Sequence, residues 1–403
     1  MPSVVFYFHV HQPYRLKDYS LWSIGEDHDY FTNAGSDRLN NKAILQKVAG
    51  KCYLPMNALL LELLNRHDDF KVSFSISGIL LDQLAEFAPE VLDSFKRLVA
   101  TGKVELVNET YYHSLSFVYS LPEFRAQVMK HKQKIKDLFG YDTKAFRNTE
   151  LIYNNAVGIA AESMGFTTIL AEGVDRYLGW KSPNFVYRPK GAKKIRLLLK
   201  NYTLSDDVAF RFSSRDWHDW PLTAEKYAAW ITSLDGSADL INLFMDYETF
   251  GEHQWADTGI FDFMRQLPTE ISKHPAFTFK TVSEAAKAYP VADEIDMPEL
   301  TSWADIERDL SAWMSNPMQF SALDTLYRLE EPVKKTQNTE LLEAWRRLTV
   351  SDHFYYMCTK WFADGDVHKY FSPNESPYEA YKHFMMVLHD LTGRVYAKPG
   401  KNS

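Results

Sequence analysis

The stretch Leu240-Ile241-Asn242-Leu243-Phe244-Met245-Asp246-Tyr247-Glu248-Thr249-Phe250-Gly251-Glu252-His253 changes character halfway, where a nearly unbroken apolar run gives way to an acidic loop. A short run of this kind, without polar alternation, suits a strand covered on both faces, and such strands belong to parallel sheets flanked by helices. Comparable runs recur at residues 4–8, 71–77, 104–107, 168–171 and 195–200. Between them, residues 79–101, 122–139 and 156–164 carry apolar side chains at helical spacing. The alternation predicts an α/β chain with a barrel-like succession of parallel strands.

Beyond Trp303 the strand candidates stop, and residues 304–314, 322–329, 339–351 and 378–392 read as helices. Residues 287–300, with Pro290, Pro298 and several acids, read as the connection. The expected division is an α/β part over 1–290 and an α-helical part over 291–403.

A chain of 403 residues with 45% hydrophobic content can bury one large and one smaller core. Its net charge of -8 is spread among residues of both signs, leaving no basic stripe for nucleic acid. Cys52 and Cys358 stand far apart without a metal-spaced partner and are expected to be free thiols. The start, Met1-Pro2-Ser3 followed by a short apolar run ending at His9, lacks the pattern of a secretory leader, and no apolar stretch is long enough to span a membrane. A soluble cytoplasmic protein is the expectation.

In a βα barrel, chemistry is carried at the C-terminal ends of the strands and in the loops that follow. Phe8-His9-Val10-His11-Gln12-Pro13 follows the first strand, and alternation turns His9 and His11 to one side. Two imidazoles there suit a metal, a polar substrate or simple packing. Glu105 and the run Asn108-Glu109-Thr110-Tyr111-Tyr112-His113 place carboxylates, an amide, rings and an imidazole at another strand exit. Phe146-Arg147-Asn148-Thr149-Glu150-Leu151 holds one carboxylate, Glu150, and the 240–253 stretch ends in Asp246, Glu248 and Glu252.

Taken singly, the last two clusters also fit solvated loops with capping acids. Glycoside hydrolysis with retention needs two carboxyl groups converging at about 5–5.5 Å, one a nucleophile and the other an acid that later serves as base. On that scheme Glu248 and Glu252 should raise the pKa of Asp246, while Arg147 should keep Glu150 ionised.

Together these motifs resemble glycoside hydrolase family 57, in particular its α-amylase and amylase-like branch. The likeness runs along nearly the whole chain through His11-Gln12-Pro13, Gly102-Lys103-Val104-Glu105, FRNTE ending at Glu150, and DYETFG from Asp246 to Gly251. A fifth region falls within 301–313 or 351–361. The resemblance implies an incomplete seven-stranded (β/α) barrel followed by an α-helical C-terminal domain. It implies Glu150 as nucleophile, Asp246 as general acid/base, and no cofactor or metal. His9, His11, Glu105, His113 and Trp303 are expected at the substrate, an α-glucan or malto-oligosaccharide.

An aromatic ring can stack on the apolar face of a sugar. Tyr14, Trp22, Tyr111, Trp180 and Trp255 are candidates, with Trp22 and Trp255 favoured and core packing the alternative. The expected activity is retaining hydrolysis of α-1,4-glucans. The rival readings are a 4-α-glucanotransferase, a metal-dependent carbohydrate hydrolase or deacetylase, and a glucan-binding protein without turnover.

Overall fold

The computed structural model describes residues 1–31, 39–360 and 372–397. Its strands are β1 (Ser3–Val10), β2 (Val72–Ile76), β3 (Val104–Leu106), β4 (Ala145–Arg147), β5 (Thr168–Glu172), β6 (Val186–Pro189), β7 (Arg196–Lys200), β8 (Leu240–Asp246), β9 (Thr278–Phe279) and β10 (Val291–Ile295). One sheet runs β3-β2-β1-β8, with β9 joined to the start of β1, and the other runs β10-β6-β7-β5-β4. β6 and β7 pair antiparallel, whereas the other named ladders are parallel.

The sheets adjoin at both ends. Asn108 bridges to Phe146, with the Asn108 N–H donating to the Ala145 carbonyl at 2.9 Å. Across the other junction the Asn201 N–H donates to the Asn242 carbonyl at 2.9 Å, and the Asn242 amide reaches the Leu199 carbonyl at 2.8 Å. β1 is buried along its whole length and β8 nearly so, as expected of strands wrapped by helices on one side and ring-filling side chains on the other. Leu59, Leu60, Leu81, Leu84, Phe95 and Met264 from the surrounding helices pack against Val4, Phe6 and Phe8 in one core.

Register places the site. β1 and β8 align from Ser3 with Leu240 to His9 with Asp246, so the imidazole and the carboxylate emerge at one level. β5 and β7 end together at Glu172 and Lys200.

The helices Pro317–Arg328, Glu330–Lys335, Thr339–Leu348, Ser351–Tyr355 and Pro377–Tyr396 enclose a second core around Trp345, Leu348, Phe384 and Leu388. Tyr19, Tyr30, Leu115 and Ile152 from the first half of the chain enter it. Asp390 on the last helix accepts hydrogen bonds from the Gly25 N–H at 2.6 Å and the Tyr30 hydroxyl at 2.5 Å, and pairs with His28 at 2.9 Å. Among the described residues, no helix is long and apolar enough to cross a membrane. Cys52 and Cys358 are free and buried.

Several local expectations change. Residues 304–314 form irregular turns rather than a helix, because Asp305 (φ 54°) and Arg308 (φ 49°) adopt left-handed backbone that a right-handed helix excludes. The segment 79–101 is two helices, Gly78–Phe87 and Pro89–Ala100, since Pro89 lacks an N–H and starts a new helix. Residues 339–351 likewise break after Leu348, and a separate helix starts at Ser351. The connection at 287–300 contains β10, which pairs with β6.

Candidate active site

Glu150 is aimed by an unusual backbone. After β4 the chain turns sharply, and Glu150 (φ 56°) and Leu151 (φ 50°) both occupy the left-handed region, which costs non-glycine residues on the order of 1–3 kcal/mol each. The turn is secured by Leu151 N–H to the Asn148 carbonyl at 3.0 Å and Ile152 N–H to the Thr149 carbonyl at 2.8 Å. Thr149 is locked to Thr110 by a hydroxyl contact of 2.7 Å. The result places the Glu150 carboxylate in a cleft of about 570 Å³ with its side chain 20% exposed.

Two donors grip that carboxylate. His113 Nε2–H donates to Oε1 at 2.9 Å, and the Trp303 indole N–H donates to Oε2 at 2.7 Å. His113 (φ 50°) donates through Nδ1 to Glu109 Oε2 at 3.1 Å, so its ring lies between two carboxylates. Burial alone would disfavour the imidazolium, but both carboxylates outweigh it and His113 is raised to about 9. Burial would also raise Glu150, yet the His113 hydrogen bond and charge, helped by Arg147, hold it below the ordinary value.

Asp246 ends β8 on the other strand pair, with its side chain 41% exposed. His9 Nδ1 stands 3.4 Å from its Oδ1. Burial pushes Asp246 up, but His9, His253 and Arg147 more than offset it, and its pKa is lowered. The expectation that acidic neighbours raise Asp246 is therefore corrected. The raised group is Glu248, which is buried beside Asp246 and pushed up to about 8. Glu248 accepts from Tyr53 and from the His11 N–H at 3.3 Å. The turn behind it depends on Gly251 (φ 112°), where a Cβ would stand 2.0 Å from the Lys51 carbonyl oxygen.

His11 accepts from the Ser77 hydroxyl at 2.7 Å and donates from Nε2 to Asp352 at 3.0 Å. Burial and the neighbouring His113 lower it to about 4, so it is neutral near pH 7. The rings of His9, His11 and His113 stack, with centroids 4.1 Å apart for His11 and His113 and 4.8 Å for His9 and His113.

Among the described residues, two groupings offer ligand atoms at metal spacing: His9, Glu109 and His113, and His11, His113 and Asp352. In both, the shared His113 already has both ring nitrogens engaged with carboxylates, a proton-filled arrangement rather than one poised for a cation.

The structure thus brings His9, His11, His113, Glu150, Asp246 and Trp303 into one cleft. Three expected site residues lie outside its lining. Glu105 points away from the cleft and receives the Ser283 N–H at 2.8 Å, at the N-terminus of the helix Val282–Ala288 where negative charge is favoured. Trp22 stands on an exposed short turn, and Trp255 lies under the Lys51 ammonium at 5.1 Å. Tyr14 and Tyr111 are core residues, and exposed Trp180 is also outside the lining.

The two stretches proposed for the fifth region both contribute. Trp303, Arg308 and Trp313 come from 301–313, and Asp352, Tyr355 and Tyr356 come from 351–361, whose last residue, Trp361, lies outside the described residues. Sequence reasoning did not assign roles to Glu109 or Asp352. Glu109 sits four residues before His113, but the segment between them is a non-helical turn, so no sequence period announces the contact. On the far wall, Lys200 pairs with Asp206 at 2.8 Å and with Glu172 at 3.3 Å, and Arg308 lies 4.0 Å over the Tyr202 ring. Phe210 (60% exposed) and Ile306 (82% exposed) form an apolar rim.

A family model described as glycosyl hydrolase family 57 matches residues 5–298. A protein of Methanocaldococcus jannaschii named "Putative alpha-amylase" is 44% identical over 399 residues, covering 96% of this chain and 84% of that protein. A family 57 branching enzyme from Thermococcus kodakaraensis superposes with a TM-score of 0.72 at 14% identity, over 99% of this chain and 92% of that one. The 4-alpha-glucanotransferase from Thermococcus litoralis gives a TM-score of 0.62 at 18% identity over 99% of this chain, which spans 60% of that chain's length. At such identities these two likenesses show the fold.

Proposed function

The chain belongs to glycosyl hydrolase family 57, and from that premise we propose that it cleaves α-1,4-glucans with retention of configuration, using Glu150 as nucleophile and Asp246 as general acid/base. The observation that carries this reading is the contrast between the two carboxylates of one cleft. Glu150 is clamped by His113 and Trp303 and held ionised, whereas Asp246 is left 41% open to solvent beside His9.

In the first half of the reaction, Glu150 attacks the anomeric carbon as the glycosidic bond breaks, and a proton on Asp246 passes to the leaving oxygen. In the second half, Asp246 takes a proton from water, which attacks the anomeric carbon and frees Glu150. A resting Asp246 of low pKa gains its proton when a bound glucan strips water from it, since burial favours the neutral acid. Malto-oligosaccharides are the natural substrates on this reading. Transfer to a sugar hydroxyl instead of water is the second reading, favoured by the apolar rim of Phe210 and Ile306, where an acceptor sugar can rest.

For the architecture, we read β1-β2-β3-β4-β5-β7-β8 as an incomplete seven-stranded (β/α) barrel, supported by the hydrogen bonds at the two sheet junctions. The division into a barrel over 1–290 and a helical domain over 291–403 is part of the same proposal. The test is maltoheptaose followed by proton NMR. Retained α-anomers are expected as first products, and a ladder of longer chains would favour transfer. Inverted products, or near-normal turnover by Glu150→Gln, would overturn the assignment.

A further inference from the structure

Glu109 lies beneath the cleft floor, fully buried and outside the cleft lining, yet its carboxylate faces both halves of the site. Oε2 accepts from His113 Nδ1 at 3.1 Å and lies 3.5 Å from His9 Nε2 and 3.6 Å from Arg147 Nη1. His113 continues to Glu150 at 2.9 Å, and His9 continues to Asp246 at 3.4 Å. The two cleft carboxylates are thus joined through a third that touches no substrate.

A buried carboxylate costs several kcal/mol unless neighbouring cations and donors compensate it. Glu109 has them. Burial would raise its pKa, but His9, His113 and Arg147 together keep it well below the ordinary value. The left-handed backbone of His113 shows that the surroundings dictate where this ring sits.

We propose that Glu109 is a positioning residue for the carboxylate pair, fixing both imidazoles and keeping both nitrogens of His113 protonated so that Glu150 stays ionised and aimed. The inference rests on the glycosidase reading of Glu150 and Asp246. When Glu150 becomes a glycosyl ester and loses its charge, His113 still has Glu109 as counter-ion. The imidazole proton therefore stays in place until hydrolysis returns the carboxylate.

The groups facing His113 support this balance. Glu109 and Glu150 supply negative charge, the rings of His9 and neutral His11 pack against it, Asp352 lies beyond His11, and Arg147 stands beside Glu109.

The test is an NMR titration of the His113 ring in the whole chain without substrate, for the wild type and for Glu109→Gln. In the wild type the ring should lose its proton near pH 9. In the variant that step should fall by about 2 pH units, because the charge that holds the proton is gone. The alkaline limb of kcat/KM on maltoheptaose should move down with it, with kcat reduced roughly 10–100-fold and KM within about threefold. Glu109→Asp, which keeps the charge, should restore much of the titration.

A wild-type His113 that titrates near the ordinary imidazole value of about 6.5 overturns the proposal, and this reading needs no variant to fold. An unchanged titration in Glu109→Gln overturns it as well. A His113 titration near pH 9 that falls in Glu109→Gln, without turnover of maltoheptaose, supports the positioning role and counts against the glucan reading alone.

Discussion

Trp303 holds Glu150 twice, through its indole N–H to Oε2 at 2.7 Å and its backbone N–H to the Glu150 carbonyl at 3.2 Å. A residue from beyond the sheets thus secures both the side chain and the strained backbone of the proposed nucleophile.

Replacing Trp303 by Phe keeps the ring and the backbone tie but removes one charge-assisted donor. A lost donor lets the carboxylate hold its proton to higher pH and turn out of line. The expected result is a fall in kcat of roughly 10–100-fold, with the acid limb of the pH profile moved upward. Steady-state rates on maltoheptaose between pH 4 and 8 check this.

Glu248, raised to about 8, gives a stability signature with a definite sign. A raised carboxyl binds its proton more tightly in the folded chain, so its contribution is full below the unfolded value and is lost as pH rises toward 8. Glu248→Gln should therefore gain stability relative to the wild type progressively between about pH 4.5 and 8, by up to about 5 kcal/mol, and stay level above that. Urea unfolding at several pH values measures it.

Glu105 tests position against motif. It lies away from the cleft and accepts from Ser283, so Glu105→Gln should leave turnover within about twofold while lowering stability by about 1 kcal/mol. A large loss of kcat with unchanged unfolding would contradict this placement.

Gly251 closes the DYETFG turn where a Cβ would meet the Lys51 carbonyl oxygen at 2.0 Å. Gly251→Ala combines that overlap with disfavoured backbone and should cost more than about 3 kcal/mol. A drop in Tm, or loss of soluble protein, is the readout.

Ile306 sits exposed on the rim. Ile306→Ser should raise KM for long glucans a few-fold and leave kcat nearly unchanged, since it removes apolar contact without reaching the reacting atoms. Comparing maltotriose with maltoheptaose separates rim binding from general damage.

His9 and Asp246 were legible in the sequence because each comes near the end of a long, mostly apolar strand, and parallel register then sets the two side by side. Glu150 was harder to read from residues alone, since β4 is only 3 residues long and its turn depends on backbone angles that no composition displays. The loop 304–314 had helical spacing in Ile306, Leu310 and Trp313. Tertiary contacts overrode it, with the Arg176 guanidinium binding the Glu307 carbonyl at 2.7 Å and the Ser302 hydroxyl binding the Asp309 carbonyl at 2.6 Å. Asp352 meets His11, and Glu109 meets His9 and Arg147, over distances in sequence that only folding closes. Glu105 followed the family motif, but strand alternation turned it to the opposite side.

The attachment of Asp390 to Gly25, His28 and Tyr30 has a consequence for biosynthesis. A chain made from its N-terminus carries Tyr19, Tyr30, Leu115 and Ile152 without the full set of their apolar partners until the Pro377–Tyr396 helix leaves the ribosome. A product truncated before that helix lacks Phe384, Val387, Leu388 and Leu391 and leaves part of the second core uncovered, the kind of exposed apolar surface that makes incomplete chains aggregate.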